Sequence, residues 1–225
     1  MTSIDASADL SWLLPILVGA TLTALGSLAR FVWLWLRRPI LEVFQSGDPR
    51  ETYVEIGLSG GTDRGYYVAV KVRNRGARAA KGCYAKLIKL EKRMADGRYE
   101  RVLEFRDPAM LGWANRGSER FEEQSVERGT PLTIDLCCTA RSHPDWVLFD
   151  VRKTESDDGR TRLFKEGVYR ASVRVYADGA TPATAHFIVS KGVGWKDVSI
   201  VQTCDKICRE DGKPGVPDKP YSPPK

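Results

Sequence analysis

The sequence predicts an all-β fold, an antiparallel sandwich carried behind a single N-terminal transmembrane helix. Three observations predict it. The run from Leu10 to Ala29 is 20 residues without a charge, and at ~1.5 Å per residue such a helix crosses a hydrocarbon layer of ~30 Å. Beyond Pro39 the apolar residues recur at every second position, the period of half-buried strands. Turn signals separate those strands, and no stretch after Leu36 has the pattern of a long amphipathic helix.

Four regions follow: an external N-terminus at 1–10, the membrane helix at 11–36, a β domain at 37–202 and a Pro-rich tail at 203–225. In the helix, Trp12 at one end and Trp33 and Trp35 at the other occupy interfacial positions. A cleaved signal peptide is the competing reading, but Asp5 and Asp9 stand where its positive n-region would be. Lys and Arg remain on the cytoplasmic side. None precedes the helix, Arg30 lies just inside its far end, and Arg37 and Arg38 follow it. This places the chain in the inner membrane with the N-terminus outside and the β domain cytoplasmic, and gives the three arginines lipid headgroups as partners. Ala20, Ala24 and Ser27 recur at i, i+4, i+7, with Gly19, Thr23 and Gly26 on the adjoining strip. A face of small residues lets two helix backbones approach. Homo-oligomerisation through Gly19, Ala20, Ala24 and Ser27 is the expectation set against the ordinary frequency of small residues in membrane helices.

In the soluble region the candidate strands are 41–45, 53–58, 66–73, 79–91, 98–105, 131–137, 146–151, 168–177, 183–190 and 197–202. The turns between them include Ser59-Gly60-Gly61, Asn74-Arg75-Gly76, Asp96-Gly97, Asp157-Asp158-Gly159 and Asp178-Gly179. In Val168 to Tyr176 the alternation puts Tyr169, Ala171, Val173 and Val175 on the core face, with Arg170, Ser172 and Arg174 outward. Residues 106–130 hold few apolar positions and read as a long connection across one end of the sandwich. Five prolines in the last twelve residues make the tail a disordered extension.

Gly167-Val168-Tyr169 resembles the start of the penultimate strand of an immunoglobulin-like domain, where a tyrosine anchors the corner. The segment VAVKVRNRGARAAKGCYAKLIKLE, residues 68–91, resembles the cell-adhesion-related (CARDB-like) variety of that fold. With LGWAN at 111–115 and the late GVYRASVRVY strand, the layout is similar to bacterial membrane-anchored β-sandwich proteins over residues 40–202. The resemblance implies an immunoglobulin-like sandwich and no catalytic residues. It also implies an extracellular adhesion role, at odds with the cytoplasmic side read from the flanking charges, and fold does not decide compartment.

Composition excludes several function classes. Hydrophobic residues at 42% allow a sizeable core, which rules out wholesale disorder. The net charge is +6; residues 1–36 carry −1, so +7 is spread over the other 189 residues with acids and bases interleaved. No nucleic-acid surface is implied. Cys83, Cys137, Cys138, Cys204 and Cys208 are odd in number and include an adjacent pair, which suits reduced thiols. With His143 and His186 they show neither CxxC nor HExxH, so no metal and no cofactor is expected. His186 faces outward on a strand and His143 precedes Pro144 in a loop, so neither has an evident nucleophile to activate. There is no GxxxxGK[ST] and no strand-to-helix GxGxxG. Lys191-Gly-Val-Gly-Trp195-Lys196 is either a basic aromatic loop for a nucleotide or anionic headgroup, or a hairpin turn beside a core tryptophan.

The expectation is therefore a non-enzymatic, membrane-anchored module whose cytoplasmic domain binds a protein or small ligand, with Trp113, Trp195, Lys191 and Lys196 as binding residues. The alternative is a ligand-sensing effector whose helix oligomerises and perturbs the bilayer.

Overall fold

The computed structural model describes residues 13–57, 63–102, 105, 108–114, 119–149, 151 and 163–203, with backbone alone for 13–22 and 163. The expectations for the external N-terminus, Trp12, the turns at 59–61 and 157–159, Cys204, Cys208 and the tail from 204 onward lie outside the described residues. The chain divides into two units, Met1–Arg38 and Pro39–Lys225.

The first unit is the helix α1, Leu13–Leu36. At its C-terminal end the Arg37 guanidinium lies 3.8 Å from the Trp33 ring centroid and that of Arg38 lies 4.9 Å from the Trp35 ring. Of residues 13–22, which carry much of the apolar run, only the helical backbone is described. Among the described residues no helix is long and apolar enough to cross a membrane.

The second unit is antiparallel β. Its strands are β1 (Leu41–Phe44), β2 (Tyr53–Gly57), β3 (Arg64–Asn74), β4 (Ala80–Arg93), β5 (Tyr99–Arg101), β6 (Ala109–Trp113), β7 (Gln124–Val126), β8 (Leu132–Ala140), β9 (His143–Phe149), β10 (Leu163–Lys165), β11 (Gly167–Tyr176), β12 (Ala183–Lys191) and β13 (Val198–Thr203). The helix α2, Pro49–Thr52, is a single turn capped by Asp48, whose carboxylate accepts from the Arg50 amide. Each strand expected from the sequence has a counterpart. The segment 106–130 departs from expectation: it is not one long connection, since β6 and β7 lie within it.

The strands form one continuous, barrel-like sheet in the order β1-β3-β8-β6-β4-β11-β12-β13, with β2 on β3, β5 and β7 on β4, β9 on β8 and β10 on β9. Continuity comes from β6. Its first part, Ala109 to Leu111, pairs with β4, whereas Gly112 and Trp113 pair with β8. One five-residue strand thus belongs to both halves of the barrel.

The two ends of the path, β1 and β13, meet through side chains. Gln45 and Gln202 each donate a backbone amide to the other's side-chain oxygen, at 3.0 and 3.1 Å. Their side-chain amides reach the Ile200 and Val43 carbonyls, and the Ile200 amide donates to the Tyr53 hydroxyl. Unpaired strand edges invite association with other strands, and here two glutamines and a tyrosine occupy the edge groups.

Alternation places the core as expected. Tyr169, Ala171, Val173 and Val175 are buried inward with Val70, Leu87, Leu111, Ile134, Phe149 and Phe187, while Arg170 and Arg174 face out. Burial of each large side chain is worth about 1.5–3 kcal/mol. On the outward face Glu91, nearly buried, accepts from Arg170 at 2.7 Å and pairs with Lys89 at 2.9 Å. Burial alone would raise its pKa, but these two bonds outweigh it and hold the carboxyl below its ordinary value.

Candidate functional site

Trp113 is a core residue of β6, 2% exposed, and its indole N–H donates to the Glu122 carbonyl at 3.1 Å. It offers no face to a ligand. Lys191 is 4% exposed. Its ammonium donates to the carbonyls of Pro144 at 2.6 Å and Gly194 at 2.9 Å, and to that of Gly192. The lysine closes the β12–β13 turn from within instead of reaching out of it, and burial draws its pKa below the usual lysine range.

Trp195 and Lys196 sit on the surface of that turn. Tyr53 stacks on Tyr66 at 5.7 Å, and Tyr66 meets Trp195 edge-on at 6.3 Å. The Lys196 ammonium lies 4.9 Å from the Trp195 ring and 2.6 Å from Glu55, which also pairs with Arg64 at 2.8 Å. Hydrogen bonds from Lys196 and then Arg64 lower the Glu55 pKa. Glu55 thus holds both cations, and the row ties the turn to β2 and β3.

In the first unit Ala24, Ser27 and Arg30 are exposed, and Gly26 has open space where a Cβ would stand. Gly19 and Ala20 lie in the helical backbone of α1, with no side-chain description.

Among the described residues the remaining catalytic and metal candidates hold no reactive arrangement. The Ser172 hydroxyl is 2.8 Å from His186 Nδ1, but Ser172 is 3% exposed and closed to a substrate. His143 opens β9 as an exposed residue and does not lie in a loop. Cys83, Cys137 and Cys138 are free and buried. Burial pushes the thiols of Cys83 and Cys138 up to about 11 and raises that of Cys137 well above the ordinary thiol range, so all three stay protonated and inert at neutral pH. Among the described residues no group of three or more His, Cys, Asp or Glu side chains is placed to hold a metal ion.

A cleft that the sequence did not disclose lies where β1, the end of β3 and the β7–β8 turn meet. It has a volume of about 440 Å³ and is lined by Phe44, Arg73, Arg75, Arg128, Gly129 and Pro131, with Asn74 beneath. Asn74 is 2% exposed and builds this corner. Its side-chain oxygen accepts from the amides of Ile40 at 3.1 Å and Gly76 at 2.9 Å, and its nitrogen donates to the carbonyls of Arg78 at 2.6 Å and Val126 at 3.2 Å. All four hydrogen-bonding positions of the amide are filled, so the end of β3 with Arg73 and the turn with Arg75 are fixed to the start of β1 and to β7.

One carboxylate, Glu42, serves two of the three arginines. Glu42 accepts from Arg73 Nε at 2.7 Å and from Arg75 at 3.0 Å. Its pKa is lowered, first by the Arg73 hydrogen bond and then by the charges of both arginines against a smaller opposing effect of burial. Arg73 also lies 4.6 Å over the Phe44 ring. Arg128 is exposed and, among the described residues, has no carboxylate partner. Among the described residues, three guanidinium groups against one carboxylate leave the cleft with a local charge of +2.

No protein-family model matches the chain, and no curated protein matches it.

Proposed function

We propose that the chain is a single-pass, non-enzymatic membrane protein that holds an immunoglobulin-like β domain on the cytoplasmic side of the inner membrane and binds an anionic ligand in the arginine cleft. The observation that carries the reading is the cleft itself, with its +2 charge and Asn74-built floor at the point where the chain enters the β domain. Ile40, held by Asn74, stands two residues after Arg38 in the sequence. A bilayer that retains Leu10 to Ala29 gives Arg30, Arg37 and Arg38 headgroup partners, each worth ~1 kcal/mol near an anionic surface.

Strand order supports the immunoglobulin-like part. Of the seven strands β1, β3, β4, β6, β8, β11 and β12, the set β1-β3-β8-β6 is the A-B-E-D order and β4-β11-β12 is the C-F-G order of that fold. Tyr169, near the start of the sixth of these strands, is 1% exposed and donates its hydroxyl to the Lys165 carbonyl upstream, the bond of a tyrosine corner. The fold by itself names no ligand; that part of the reading rests on the cleft.

Alkaline carbonate washing of membranes from cells that make the full chain tests the anchor. The protein is expected in the membrane pellet. Release into the wash, as for a peripheral protein, overturns the membrane-spanning reading.

A further inference from the structure

We propose that the arginine cleft is a phosphate-binding site, taking a phosphate monoester whose attached group rests against Phe44 and Pro131. The proposal deepens the functional reading above and rests on it for the site. Guanidinium groups present planar forks that match phosphate oxygens two at a time. Arg73 lies at the end of β3, Arg75 in the turn after it and Arg128 in the β7–β8 turn, all on the same cavity. A cavity of about 440 Å³ exceeds what a bare phosphate fills, and the ring of Phe44 and the face of Pro131 supply its apolar part. Gly129 leaves the rim open: a Cβ there meets nothing within 4 Å.

Glu42 acts as the resident competitor. It occupies Arg73 and Arg75 when the cleft is empty, and a phosphate dianion offers the same guanidinium groups twice its charge. Arg128 is the group left for the ligand. Two consequences separate this arrangement from a general basic surface: Arg128→Glu removes binding, and Glu42→Gln strengthens it.

The phosphate can belong to a lipid headgroup or to a soluble monoester. Hydrogen exchange of the full chain, read at residues 73–76 and 126–131, distinguishes them. One arm uses detergent micelles with and without millimolar glycerol 3-phosphate; the other uses phosphatidylcholine nanodiscs with and without phosphatidate. Slowed exchange in the micelle arm assigns a soluble source, slowed exchange only with phosphatidate assigns the headgroup, and either supports the proposal. Arg128→Glu is expected to abolish the protection, and Glu42→Gln to lower the concentration for half-protection about tenfold, the effect of one charge-assisted hydrogen bond. Because Arg128 is exposed, this variant keeps the fold, which exchange elsewhere in the β domain verifies. No protection in either arm, or protection that survives Arg128→Glu, overturns the proposal. The micelle arm needs no bilayer, so failure of the anchor in carbonate washing and failure of phosphate binding remain separate results.

Discussion

Replacing Asn74 with alanine is expected to cost about 3–4 kcal/mol of stability, from loss of bonds worth about 1 kcal/mol each and the penalty on those partners left buried without water. The four bonds join three separate parts of the β domain: the start of β1 through Ile40, the turn after β3 through Gly76 and Arg78, and β7 through Val126. Asn74→Asp does not restore the loss, because a carboxylate keeps the two acceptor contacts and turns negative oxygens toward the Arg78 and Val126 carbonyls. Equilibrium urea unfolding of the full chain in micelles, followed by tryptophan fluorescence, measures both. A domain of ordinary stability has about 5–15 kcal/mol in total, so the effect is large. A cost under about 1 kcal/mol for Asn74→Ala contradicts the role given to this side chain.

The second large effect distinguishes two tryptophans that look alike in the sequence. Trp113→Ala is expected to cost about 3–5 kcal/mol, the range for emptying a buried aromatic site. Trp113 fills the core at the point where β6 passes from β4 to β8, so the cavity opens at the joint of the barrel. Trp195→Ala is expected to cost only about 1 kcal/mol, since the half-buried ring makes one edge-on contact with Tyr66 and one with the Lys196 ammonium. Equal costs for the two variants, in the same unfolding measurement, contradict their placement.

Most strands were legible because they are long enough for alternation to declare itself. Between Val168 and Tyr176 the pattern names Tyr169, Ala171, Val173 and Val175 as inward, and all four are buried, though Ser172 on the other face is buried as well; Asp96-Gly97 and Asp178-Gly179 mark real turns with positive φ at each glycine. β7 and β10 were not legible, as three residues carry no period. β6 was missed for another reason. Its last three residues, Leu111, Gly112 and Trp113, are all buried, because a strand shared between two sheet halves has no solvent face and hence no alternation.

Side-chain roles were less legible than elements. Lys191 has the sequence signature of an exposed turn lysine, and only the carbonyls of Pro144, Gly192 and Gly194 converging on it make it a buried strut. The glutamine seam between β1 and β13 joins residues 157 positions apart, beyond any local pattern. Of the cleft, the turn Asn74-Arg75-Gly76 could be read as a turn. Its functional partners could not: Glu42 is 31 positions from Arg73, and Asn74 meets Val126 across 52. Interleaved acids hide the local excess of arginine from any count of charge along the chain.

The proposed function requires a β domain held at the cytoplasmic face by the N-terminal helix, with its arginine cleft exposed to ligands on that side. Protease digestion of the full chain in spheroplasts and in inverted inner-membrane vesicles tests it most directly. Protection of the β domain in spheroplasts with cleavage in inverted vesicles is the predicted result. Cleavage in intact spheroplasts contradicts it and puts the cleft outside the cytoplasm.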